Sequence, residues 1–294
     1  MPSQPGSRVD PTASILASAT RYVLQFEKDF AVVISDESCT QHIRAPDQPI
    51  APDYPLQSSI SDRSLRSEML FMWIPEDHQW LSIRNVLTVD GKPIAGSAEA
   101  LELAIKAPPP ERDTTLRRLA ELSARFNLGP IRRTFNLPTL ALQFLDSAYS
   151  PRFRFSVKDQ PGQNTAEASS APVRIDFVER QRPTVIEDLG KDLPSSGSLW
   201  VRPSDGAIVR TLLNVVGTDT TPTSTITVEY QLDEKLQMWV PWHMEEHYRA
   251  IRMASNAGSM LRGQTQFEQI DSVSTYSNFR RFETSGRIIQ PNGG

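Results

Sequence analysis

The 294-residue chain reads as an α+β fold: a curved antiparallel sheet, an incomplete β-barrel, with a helical insertion as its lid. Three observations predict it. At least six segments alternate apolar and polar residues with period two, turn words separate them, and helical periodicity is confined to residues 11–29 and 97–145. Residues 1–294 are therefore expected to form a single domain that ends in an antiparallel meander over 152–282.

Pro11 to Asp29 places Ile15, Ala19, Tyr22, Val23 and Phe26 on one helical stripe. Phe30 to Ile43 reads as a strand, and Ala45 to Asp62, with four prolines, as an exposed loop. Leu65 to Ile74 is apolar on both faces, with Met69, Phe71 and Trp73 on one and Leu70, Met72 and Ile74 on the other. Such a strand is buried on both sides or lines a cavity. Pro75 to His78 turns the chain into its partner, Trp80 to Val89, which Asp90-Gly91 ends.

Two helices, Ser97 to Ala107 and Glu111 to Phe126, are separated by Pro108, Pro109 and Pro110. The second aligns Leu116, Leu119, Ser123 and Phe126 and stops at Gly129. A short third helix, Pro138 to Leu145, has Asn136 as its expected cap. Arg152 to Lys158 alternates throughout, with Phe153, Phe155 and Val157 inward, and Asp159 to Ala171 reads as a hairpin tip before Val173, Ile175 and Phe177 resume the sheet.

The region from Gly197 to Tyr248 has the most regular pattern. Leu199 and Val201 alternate with Ser198, Trp200 and Arg202, and Pro203-Ser204-Asp205-Gly206 reverses the chain into Ala207 to Val216. Thr223 to Leu232 puts Ile226, Val228, Tyr230 and Leu232 on one face and Thr225, Thr227, Glu229 and Gln231 on the other. Met238 to Tyr248 fits a strand, with Pro241 at an edge or bulge, or a helix with Pro241 at its first position. The strand is favoured because three strands precede it through short connections. Phe267 to Arg281 is the last strand, after a small and polar stretch from Ala254 to Gly263.

Composition excludes several classes. With 31 basic and 35 acidic residues, and a net charge of −4, the chain lacks the basic excess with which nucleic-acid binders neutralise phosphate. Cys39 is the only cysteine, so neither an intramolecular disulfide nor a cysteine zinc cluster is expected, and it reads as a buried thiol. No run of 18 apolar residues exists to span a bilayer as a helix. The first ten residues are polar, without the apolar core of a secretory signal, as expected of a cytoplasmic chain or of one with a trimmed start.

The order of elements, the words G-x-L-W-V-x-P-x-D-G-x-I-V-R (Gly197 to Arg210), V-x-Y (Val228, Tyr230) and Val240-Pro241, resemble the periplasmic lipoprotein-carrier superfamily, the LolA-like half-barrels. Arg152 to Phe282 carries the likeness, and the first 145 residues follow it in outline. The resemblance implies a non-catalytic, periplasmic or otherwise extracytoplasmic protein, binding a lipid or other apolar ligand beneath helices, with a membrane or lipoprotein as partner. On that basis Met69, Phe71, Trp73, Phe153, Phe155, Trp200, Tyr230 and Trp242 are the expected ligand-binding residues. No cofactor is expected.

Two other functions compete. His243-Met244-Glu245-Glu246-His247 fits H-x-x-E-H, in which a helix offers both imidazoles to one zinc and the glutamate serves as base. It requires a helix, because four residues of strand separate the rings by about 13 Å. A scaffold protein whose concavity is filled by its own side chains is the other. His42 and His78 are isolated, and Arg117-Arg118 and Arg132-Arg133 read as solvated faces or, alternatively, an anion or headgroup site.

Overall fold

The computed structural model describes residues 11–44, 61–127, 137–158, 171–188, 190–217, 223–253, 265–283 and 287–288. The expected loop over 45–62, the tip over 159–171, Arg132-Arg133, the Asn136 cap and the stretch 254–263 lie wholly or largely outside them.

Helix α1 (Pro11–Asp29) leads into β1 (Val32–Arg44), β2 (Ser61–Ile74), β3 (Gln79–Val89) and the two-residue β4 (Lys92–Pro93). Asp90 and Gly91, both at positive φ, form the tight turn between β3 and β4. The insertion contains α2 (Ala100–Lys106), α3 (Pro109–Ala124) and the single turn α4 (Leu140–Gln143). Helix α3 starts two residues earlier than expected. Pro109 and Pro110 occupy its first turn, where a missing N–H forfeits no helical bond.

A second run of strands follows: β5 (Phe153–Lys158), β6 (Val173–Glu179), the small pair β7 (Glu187–Asp188) and β8 (Lys191–Asp192), then β9 (Ser195–Val201), β10 (Ile208–Val215), β11 (Thr223–Asp233), β12 (Met238–Met253), β13 (Thr265–Glu283) and β14 (Arg287–Ile288). The main sheet runs β4-β3-β2-β1-β13-β12-β11-β10-β9-β6-β5, and every neighbouring pair is antiparallel. Within it the β1–β13 pair, fourth and fifth in this order, joins the first strand to the last long one. Strands β4 and β5 are the two edges, so the sheet is not closed into a barrel and the insertion passes from one edge to the other.

That passage curls the sheet. Residues 137–149 reach both sides: Asp146 lies 3.1 Å from His78 in the β2–β3 turn, Phe144 stacks on Phe153 of β5 at 4.5 Å, and Tyr230 of β11 donates to the Pro138 carbonyl. Together with α1 they cover the inner face, and Phe26, Phe30, Phe71, Trp80, Phe177 and Tyr276 belong to the same buried cluster. Helices α2 and α3 take the opposite, outer face, where Leu101, Ala104, Leu116 and Leu119 pack on Ile34, Leu70 and Ile83. The insertion therefore divides between both faces, wrapping the β3 edge. Strand β2 is apolar on both sides because α1 covers one and α2 with α3 the other.

Gly206 and Gly197 mark close approaches. At Gly206, φ is +76° and a Cβ would meet the Ser18 carbonyl at 2.5 Å, so α1 rests directly on the β9–β10 turn. Leu232 departs from its expected inward position: it is 49 % exposed near the end of β11.

Candidate functional site

The expected ligand-binding residues divide. Met69, Phe71, Phe153 and Tyr230 are buried in the inner core, and Trp73 and Phe155 pack against it. Trp200 does not join them. Buried Leu199 and Val201 flank it, so the pleat turns it to the outer face, where the Arg174 and Arg210 guanidinium carbons lie 5.7 and 5.0 Å from its ring centre. Trp242 also falls outside the core. Tyr230 pairs with Pro241 while the adjacent Glu229 pairs with His243, leaving Trp242 as the extra residue of a bulge, 5.2 Å from the His243 ring. Pro241 is thus accommodated by a bulge inside a central strand rather than at a sheet edge.

The zinc reading fails on secondary structure. His243 to His247 lies within β12, paired on both sides with β11 and β13. Met244, Glu246 and Tyr248 are buried on the inner face, so Glu246 points away from both histidines. On the outer face His247 Nδ1 lies 2.7 Å from Asp271 and His243 Nε2 lies 3.1 Å from Glu245. His42 is likewise 2.7 Å from Asp62. Cys39 is buried beside Ser272, and burial pushes its thiol pKa up, which suits an inert side chain.

The inner face carries polar groups among its aromatics. Arg84 is paired with Glu37, which also accepts from Ser274 at 3.1 Å. Burial alone would lower the Arg84 pKa, but the adjacent Glu37 charge outweighs it and holds the guanidinium charged. Tyr248 donates to Glu246, whose second oxygen has no partner among the described residues.

A cavity of about 340 Å³ opens where the insertion wraps the β3 edge. Its apolar wall comes from Val86 of β3, Ile94 and Ala100 before and in α2, and Leu119, Leu122 and Phe126 at the end of α3. Its polar atoms come from Asn85, Ser97, Thr115, Ser123 and the two arginines Arg84 and Arg118. They are not equivalent. Arg84 is neutralised by Glu37, Asn85 donates to the Ser97 carbonyl at 2.9 Å, and Ser97 donates to the Ile94 carbonyl at 2.8 Å. Arg118 is exposed at the rim, and among the described residues no carboxylate lies within ion-pair distance of it.

The sequence held half of this site. The α3 stripe aligns Leu119, Ser123 and Phe126, and Arg118 belongs to a pair that fits a solvated face or, alternatively, a headgroup site. It did not reveal that the stripe overhangs the end of the sheet rather than lying flush on it. Phe126 packs around the edge with Cys39, Leu65 and Val86, while Leu116 and Leu119 stay on the outer face.

No protein-family model matches the chain, and no curated protein matches it. Among solved structures it is similar to a DUF1329 family protein from Desulfovibrio piger, at 9 % identity over 93 % of this chain and 94 % of that one, with a TM-score of 0.33. It is also similar to lipovitellin, in a structure titled for lipid–protein interactions, at 7 % identity over 85 % of this chain and 26 % of that one, with a TM-score of 0.28. Both likenesses are remote. Among the described residues no helix is long and apolar enough to cross a membrane.

Proposed function

We propose that the protein is a non-catalytic binder of an acyl-chain amphiphile, held in the cavity between β3 and α3 with its anionic head at Arg118. The observation that carries this is the cavity itself: about 340 Å³, walled by aliphatic and aromatic side chains, with Arg118 at its rim and, among the described residues, no carboxylate paired to it. That volume falls within the range of small-molecule sites, roughly 300–1,000 Å³, which are mostly apolar with a few polar groups fixing orientation. Burying eight to ten methylenes contributes about 6–8 kcal/mol, enough for micromolar binding before the losses of association.

The ligand is thus assigned to the β3 edge instead of the inner face, because the described side chains of the inner face, Met69, Phe71, Phe153 and Tyr230 among them, are buried against one another. The sequence words shared with lipoprotein-carrier half-barrels, and the extracytoplasmic setting they imply, belong to the same proposal. Titration with a fluorescent fatty acid tests it, comparing wild type with Leu122→Trp, which fills the cavity, and Arg118→Ala, which removes the head contact. Micromolar binding lost in the first and weakened in the second supports it; binding unchanged in both contradicts it.

A further inference from the structure

The outer face of the second half of the sheet carries a row of cations that the cavity does not use. By register, Lys158 of β5 sits opposite Arg174 of β6, Arg174 opposite Trp200 of β9, and Trp200 opposite Arg210 of β10. One line across four strands therefore reads Lys, Arg, Trp, Arg. At about 4.8 Å between strands the row spans about 14 Å. Arg154, on the same face of β5, is paired with Val178 of β6, an apolar residue that is 36 % exposed.

The acids nearby are few. Asp176 holds Arg174 at 2.7 Å and accepts from Ser198, and Glu229 is the register neighbour of Arg210 on β11. Among the described residues no carboxylate comes within ion-pair distance of Arg210. Four basic residues thus gather on one face of a chain whose net charge is −4. Trp200 is half-buried between two guanidinium groups, which it holds by cation–π contact.

We propose that this face docks on an anionic lipid bilayer. The target is a surface rather than a threaded polymer because the cations lie in a row across four strands on one face of the sheet. Val178 and the Trp200 ring supply the amphipathic contact that interfacial residues make with headgroups. Basic residues near an anionic bilayer contribute about fivefold each in partitioning; with Arg174 held by Asp176, the three others, Arg154, Lys158 and Arg210, give binding that salt removes. The proposal stands apart from the cavity and does not require it.

The test is co-sedimentation with vesicles of phosphatidylcholine, with and without about 30 % phosphatidylglycerol. Wild type is expected to partition onto the anionic vesicles only, and to be released by about 0.5 M salt. Arg154→Glu combined with Lys158→Glu, both exposed and outside the core, should lower partitioning at least about twentyfold while fatty-acid binding and the melting temperature stay unchanged. Arg174→Glu with Arg210→Glu should abolish it. Equal binding to both vesicle types, no binding, undiminished binding of the charge-reversed variants, or binding to soluble heparin without binding to vesicles would each overturn the proposal.

Discussion

Arg84 and Glu37 form a bidentate pair on the inner face, Nε to Oε2 and Nη2 to Oε1, both at 2.7 Å, with side chains 7 % and 0 % exposed. The pair ties β3 to β1 across the intervening β2. Removing one partner strands a buried charge, at a cost of about 3–5 kcal/mol, whereas replacing both with apolar residues of similar volume is near neutral. Arg84→Met should therefore lower the melting temperature by roughly 5–10 °C, and adding Glu37→Leu should restore most of it. Thermal melts of the two single variants and the double give the coupling directly.

Glu27, on α1, is 4 % exposed, and Oε1 has no partner among the described residues. Burial, and then the charge of Asp146, push its pKa from 4.5 up to about 8, against a smaller opposing pull from Lys28. Its neutral form is the one the fold favours. The associated stability is complete below pH 4.5, where both states hold the proton, and is lost as pH rises towards 8, because only the unfolded chain releases it freely. Glu27→Gln should flatten that dependence and stabilise the protein at alkaline pH by about 1–3 kcal/mol, read as urea midpoints at both ends of the window. Identical pH slopes in variant and wild type would rule this out.

Gly197 leaves no room for a side chain: a Cβ there would lie 1.9 Å from the Leu212 carbonyl oxygen and 2.7 Å from the Phe177 ring. Gly197→Ala should force β9 away from β10 or displace Phe177, with a loss of about 1–3 kcal/mol or more in denaturant unfolding. A variant as stable as wild type would mean that β9 packs differently.

Period-two alternation is enough to locate the longer strands but not the two-residue β4, β7, β8 and β14, and in β11 it orients Ile226, Val228 and Tyr230 inward. The errors have separate causes. Aromaticity points Trp200 to the ligand, whereas buried Leu199 and Val201 beside it fix its face as the opposite one. Trp242 was lost to a bulge, which moves one residue out of the alternation and whose only trace in the sequence is Pro241. The division of the insertion was hidden because a helical stripe shows that a helix must lie on something, not on which side of the sheet. The cavity depends on that choice, since it forms only where α3 overhangs the β3 edge.

Whether an amphiphile occupies this cavity is read out by native mass spectrometry of protein purified from a lipid-containing host. Wild type should carry an acyl-chain mass that is absent from Leu122→Trp and retained in Phe155→Asp, whose substitution lies in the β5 edge of the inner core. A mass lost only in Phe155→Asp would place the ligand on the inner face, and wild type free of any lipid that also fails to bind fatty acid would mean that no amphiphile is held in the cavity.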